Sequence, residues 1–152
     1  MRYLKAYENW VTNIFKSYDY WQDYADDVLI NQSFSEKNFN SLMGAAMSGN
    51  WKRFKDKLPK YIEHINDIHI DDLNHKNTTL THVVTGIGDL WEKRKMIEEL
   101  IENGADPYFE DESYNSFYDL INNQKLKEWF NKKYPQIVEK LLLNKSVRQY
   151  NI

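Results

Sequence analysis

The 152-residue chain has no cysteine, three prolines and only five glycines. Without cysteine there is no disulfide framework and no thiolate metal centre, which fits a reducing compartment and points to the cytoplasm. The glycines are Gly44, Gly49, Gly86, Gly88 and Gly104. Gly86 and Gly88 lack the third glycine and the preceding strand of a phosphate-binding loop, so the pair is expected to form a turn. Long apolar runs are also missing: no stretch approaches the roughly 20 residues of a membrane helix. Arg2, Lys5 and Glu8 interrupt the first ten residues, so no signal peptide is expected. Charge of one sign is not in excess, because the net charge is only -3. Nothing drives general binding to phosphate backbones, and neither nucleic acid nor a membrane is expected as a direct partner.

The residue patterns of a catalytic centre are absent as well. Asp26 with Asp27, Asp71 with Asp72, and Glu98 with Glu99 are adjacent pairs, and neighbours on a helix point about 100 degrees apart, too far to share a proton. Ser41, Ser48, Ser113, Ser116 and Ser146 occupy no strand-turn-helix elbow. The sequence therefore predicts no enzyme and no cofactor.

Aromatic rings, in contrast, are plentiful at 15% of the chain, and each can remove a large area from water, so a real core is available to a single domain spanning 1–152. Tyr3, Tyr7, Trp10 and Ile14 fall on one face of a helix, and Trp21, Ala25, Val28 and Leu29 on one face of another. Residues 1–35 are thus expected to form two N-terminal capping helices. Frequent Asn, Lys, Ile and Tyr suit an AT-rich coding genome, such as many phages or low-GC bacteria have.

From Asn40 onward three segments superimpose with a constant offset of 38 residues, anchored at Asn40, Thr78 and Ser116. Leu42, Leu80 and Tyr118 stand two residues after the anchors, and Ala45, Val83 and Ile121 stand five after. Each segment is expected to open a helix with these positions turned inward. Leu42, Ala45, Ala46 and Gly49 fit a first helix and its turn. Thr78 and Leu80 fit a second opening, Met96, Ile97, Glu98, Leu100 and Ile101 a second helix, and Gly104, Ala105 and Asp106 its ending. Gly104 can take the left-handed conformation that stops a helix, and Pro107 forbids continuation. Ile137, Val138, Glu139, Leu141 and Leu142 repeat the second-helix pattern after an added stretch from Lys125 to Pro135.

These residues resemble the ankyrin-repeat family, in a degenerate and elongated form: 38 residues against about 33, no histidine in the opening, and Thr79 in place of its proline. The resemblance implies an all-α stack of about three ankyrin-like helix pairs over 36–143, behind the N-terminal cap and ahead of a tail at 144–152. It also implies protein recognition by loop tips and by the concave face of the first helices.

The loops where such fingers project are Ile65 to Asn77, with Asp67, His69, Asp71, Asp72 and His75, and Ala105 to Asn115, with Glu110, Asp111 and Glu112. Loops on a rigid scaffold are free to specialise, and their acidity suggests a protein partner with a basic surface. Trp51 and Trp91, each just after a turn, are candidate contact anchors. Lys52, Arg53, Lys55, Lys57 and Lys60, and again Lys125, Lys127, Lys132 and Lys133, place basic charge away from these loops. The functional expectation is noncovalent binding by an inhibitor or neutraliser, such as an immunity protein or a phage anti-defence factor of the anti-CRISPR kind. One alternative is an acidic mimic that blocks a nucleic-acid channel. Another is a metal-dependent enzyme using His64, His69, His75 and His82, although spacings of five, six and seven match no compact zinc motif.

Overall fold

Helix-starting caps are the most regular feature of the chain. The computed structural model describes residues 39–71 and 73–151; the expected capping helices within 1–35, and Asp72, lie outside them. The Asn40 side chain accepts from the Met43 N–H at 3.0 Å and starts α1, Ser41–Met47. Asn50 accepts from Arg53 N–H at 3.0 Å and starts α2, Trp51–Lys57, which runs into 3₁₀ turns at Leu58–Lys60 and Ile62–His64. Thr78 accepts from Thr81 N–H and starts α3, Thr79–Thr85. Asp89 and Glu92 form a reciprocal capping box at the head of α4, Leu90–Glu102. Asn123 starts α5, Gln124–Lys133, and Pro135 occupies the first turn of α6, Pro135–Tyr150. Each cap satisfies an N–H that the helix itself cannot.

The described residues are mostly helical, with one small departure from an all-α chain. β1, His69–Ile70, pairs antiparallel with β2, Lys76–Asn77, in the register His69 to Asn77 and Ile70 to Lys76. No helix among the described residues is long and apolar enough to cross a membrane.

α1 packs chiefly on α3, with α2 and α4 forming a layer behind them. All six inward positions read from the offset of 38 are buried: Leu42, Leu80 and Tyr118, and Ala45, Val83 and Ile121. Phe54, Met96, Ile97, Leu100, Leu126 and Phe130 complete the same cluster. A fully buried side chain of this size contributes roughly 2–3 kcal/mol by leaving water.

The α1–α2 turn seats directly on the α3–α4 turn. The Ile87 N–H donates to the Met47 carbonyl at 2.8 Å. A Cβ on Gly86 would lie 2.4 Å from that same carbonyl oxygen, and one on Gly49, whose φ is +65°, would lie 2.4 Å from the Ile87 oxygen. Gly86 and Gly88 do form the expected turn, and its purpose is backbone contact between the two helix pairs. At the far end of α4, Gly104 has φ +90° and open space around it. There the Ala105 N–H donates to the Leu100 carbonyl at 2.8 Å, closing the helix as expected.

Two expectations need correction. Ser116 to Ile121 is a turn segment and does not open a helix. Asp119 turns back to accept from both the N–H and the hydroxyl of Ser116, at 2.9 and 3.0 Å, and this local bonding competes with a helical ladder. The chain tightens into i to i+3 bonds as far as Ile121 and restarts at α5. Residues 144–150 are not a tail: α6 continues to Tyr150, and Lys145 and Arg148 tie it back to Asp119 and Glu110.

Candidate functional site

The two finger positions are built to one pattern, 40 residues apart. In the first, Asp71 Oδ1 accepts from the N–H groups of Leu73 and His75 at 3.0 and 2.8 Å, while Asp71 N–H donates to the His75 carbonyl at 3.1 Å. In the second, Asp111 Oδ1 accepts from Ser113 and Asn115 at 2.8 and 2.9 Å, and its N–H donates to the Asn115 carbonyl at 3.0 Å. Asn74 and Tyr114 hold the same place in each loop with positive φ, 65° and 62°. The bridge Glu110 to Ser116 closes the second loop as Ile70 to Lys76 closes the first.

This geometry changes what the acidic residues do. Asp71 and Asp111, expected to meet a partner, spend their carboxylates on their own loops. Burial pushes the Asp71 carboxyl up, but its bonds to His75 and Leu73 outweigh this and hold it below the ordinary carboxylate value. Asp67 pairs with His64 at 2.9 Å, and exposed His75 pairs with Asp71 at 3.1 Å. Glu112 reaches across to Lys76, joining the two fingers at 3.6 Å, and Glu110 is bonded to Arg148 of α6. The residues brought together are therefore Lys76 with Glu112. Each described acidic residue of the fingers has an intramolecular partner.

Alongside exposed polar residues such as His75, Lys76 and Glu112, each finger exposes one large apolar side chain. Leu73 is 77% exposed and Tyr114 is 64% exposed, and the Arg148 guanidinium lies 4.7 Å from the Tyr114 ring. A bulky residue at positive φ is a steric outlier costing of order 1 kcal/mol, and such strain concentrates at contact sites. Neither residue stood out in the sequence. The available signal was a pair of segments opening with Asp and closing four residues on with His or Asn, a spacing that suits side-chain-to-backbone turns.

His69 is not a surface contact, because it is buried. Its Nδ1 lies 2.9 Å from Nε2 of buried His82, and the Phe39 ring meets both imidazoles edge-on at 4.9 and 5.7 Å. The pair fastens the base of the first finger to α3. Burial first, and the neighbouring His69 second, push the His82 pKa down to about 4, against a smaller opposing pull from Asp71. Among the described residues no group of three His, Cys, Asp or Glu side chains is placed to hold a metal ion.

Trp51 and Trp91 lie together at the stacked turns, with ring centroids 6.1 Å apart and planes at 80°. Trp51 is partly buried on Phe54, while Trp91 is 55% exposed and Ile87 beside it 70% exposed. With Ser48, Gly49, Lys52 and Glu92 they line an open groove of about 500 Å³. Loops and groove sit at opposite ends of α3, which at 1.5 Å per residue separates them by about 10 Å. Comparison with protein-family models, curated proteins and solved structures finds no match to the chain.

Proposed function

We propose that the chain is a noncovalent protein-binding module, built from ankyrin-like helix pairs, that inhibits or neutralises a partner protein. The observation that carries this reading is the pair of equivalent fingers. Two loops 40 residues apart share one Asp-centred turn, are joined by Lys76 and Glu112, and each presents a large apolar residue to water. Support for the repeat architecture comes from the buried positions at an offset of 38 and from the turn-on-turn seating through Gly49, Gly86 and Gly88. A loop pre-ordered by its own hydrogen bonds loses little further entropy on binding, which suits a tight inhibitor.

The Asp71 carboxylate and Oδ1 of Asp111 are bonded within their own loops, which weighs against the alternative of an acidic mimic, since such a protein needs its charges turned outward. The contact surface proposed is Leu73, His75, Tyr114 and the exposed sides of Glu110 and Glu112, with the cytoplasm as the place of action. Affinity capture from a host lysate with wild-type protein and with Leu73→Ser/Tyr114→Ser, at matched folding by circular dichroism, tests it. The reading expects one or a few proteins retained by the wild type at near-stoichiometric amounts and lost by the double variant. Equal retention by both proteins overturns it.

A further inference from the structure

The groove at the stacked turns lies away from the fingers and is a surface in its own right. Its floor is forced by packing: Gly49 and Gly88 approach so closely that a Cβ on Gly49 would stand 2.5 Å from the Gly88 Cα. Its walls are the two perpendicular indoles and the Ile87 side chain. Large apolar side chains this exposed on adjacent turns are costly to keep in water, and a tryptophan at a rigid, partly desolvated corner is the side chain most often found to anchor an interface.

The charges around the groove decide what it takes. Glu92 lines the groove and Asp89 lies just before it in the chain, and each uses one carboxylate oxygen in the helix cap. Glu92 Oε2 accepts from the Asp89 N–H at 3.1 Å and Asp89 Oδ1 accepts from the Glu92 N–H at 2.8 Å. Both also face the positive end of α4, which compensates part of their charge. The lysines are differently placed. Lys52 lines the groove and is exposed, and the Lys55 Nζ stands 5.9 Å from the Trp51 ring centroid with no carboxylate among the described residues bonded to it. The groove thus combines an aromatic corner with the Lys52 ammonium on its wall and the Lys55 ammonium beside Trp51.

We infer that this groove binds an acidic segment of a partner protein, seating an apolar or aromatic side chain between Trp51, Trp91 and Ile87 while its carboxylates meet Lys52 and Lys55. Such a segment buries the exposed indole face and exchanges solvent for charge-assisted hydrogen bonds. A cationic occupant, the other ligand that indole faces attract, would meet Lys52 and Lys55 as like charges. This surface is complementary to the finger surface: one end of the fold offers apolar tips among paired acids, the other an aromatic slot among lysines.

The probe is an acetylated decapeptide of Asp and Glu around a central Leu-Phe pair, without tryptophan, titrated into the full chain while indole emission is followed. Two controls replace every acid by Lys or the Leu-Phe pair by Ala-Ala. The acidic peptide is expected to shift the emission saturably, with either control at least about tenfold weaker and the affinity falling as salt is raised. Trp91→Ala and Lys52→Glu/Lys55→Glu, both at exposed side chains, are each expected to weaken it about tenfold with the circular dichroism unchanged. Leu73→Ser/Tyr114→Ser leaves this titration unaltered, so failure here is separable from failure at the fingers. Absence of binding, equal or tighter binding of the Lys peptide, or unchanged binding by either groove variant overturns the inference.

Discussion

Acidification below neutrality is expected to loosen this fold through buried His82. His82 is buried, beside a second imidazole and under the edge of Phe39, and its pKa lies at about 4 in place of the ordinary 6.5. In the unfolded chain it takes up its proton near 6.5, so between about pH 6.5 and 4 the unfolded state binds more protons than the folded one, and stability falls as pH falls through that window. The full difference corresponds to about 3 kcal/mol, of which about 2 kcal/mol is lost between pH 7 and 4.5. For a domain of this size that is a fall in Tm of roughly 5–10 °C. Among the described residues the charged or titratable groups around it are few: α1 carries none, α3 none besides His82, and the finger contributes His69 and Asp71. Urea denaturation followed by indole fluorescence at half-unit pH steps measures the slope. His82→Gln, which cannot titrate, is expected to be less stable at pH 7 and to show a shallower slope than the wild type between pH 6.5 and 4.5. A variant slope equal to that of the wild type, or a His82 imidazole proton that titrates near 6.5 by NMR, refutes the reasoning.

Three further outcomes follow from the packing. Gly86→Ala places a Cβ 2.4 Å from the Met47 carbonyl oxygen, so the turns must part and lose the Ile87 bond, at a cost of about 3 kcal/mol or more by thermal denaturation. Gly104→Ala meets open space and costs about 1–2 kcal/mol through φ alone; equal losses at the two sites would contradict turn stacking. Asp111→Ala removes the acceptor of the Ser113 and Asn115 N–H groups, costing about 1–2 kcal/mol locally and speeding exchange of those two amides, whereas Asp111→Asn, keeping Oδ1, largely preserves them. Below about pH 4 a second loss begins. Burial raises the Asp119 and Glu98 carboxyls, but bonds to Lys145 and Ser116, and to Lys133 and Lys95, hold both below the ordinary value. Their stabilisation is present above that ordinary value and is lost as pH falls through the lowered one, so Lys145→Met removes part of the acid slope below pH 4.

How much of this was legible in the sequence depends on the range of the interaction. Helix endings are local, so Gly104 could be placed from its neighbours, while the offset of 38 placed the openings at Asn40 and Thr78 and periodic burial placed Leu42, Leu80, Met96 and Leu100. Ser116 to Ile121 carries the same periodicity, yet Asp119 captures Ser116 and turns the segment away from a helix. The exposure of Leu73 and Tyr114 follows from loop conformations with positive φ at Asn74 and Tyr114, where no glycine announces it. The His69 and His82 contact joins residues 13 apart, from a strand and a helix, and only their packing brings the rings together. Carboxylates counted as surface charge proved to be loop-forming groups, since a sequence shows the charge of an aspartate and hides the direction in which its oxygens point.

In the proposed binding mode the apolar finger tips, more than the acidic side chains, make the contact. The direct measurement is the Kd of the captured partner, by titration calorimetry, for wild type, Leu73→Ser/Tyr114→Ser, and Glu110→Gln/Glu112→Gln, which leaves Asp71 and Asp111 to hold the loops. The tip variant is expected to lose about 100-fold or more, near 3 kcal/mol, and the acid variant only a few-fold. The reverse order, with tip changes tolerated and acid changes abolishing binding, would contradict it and return the fingers to the role of an acidic mimic.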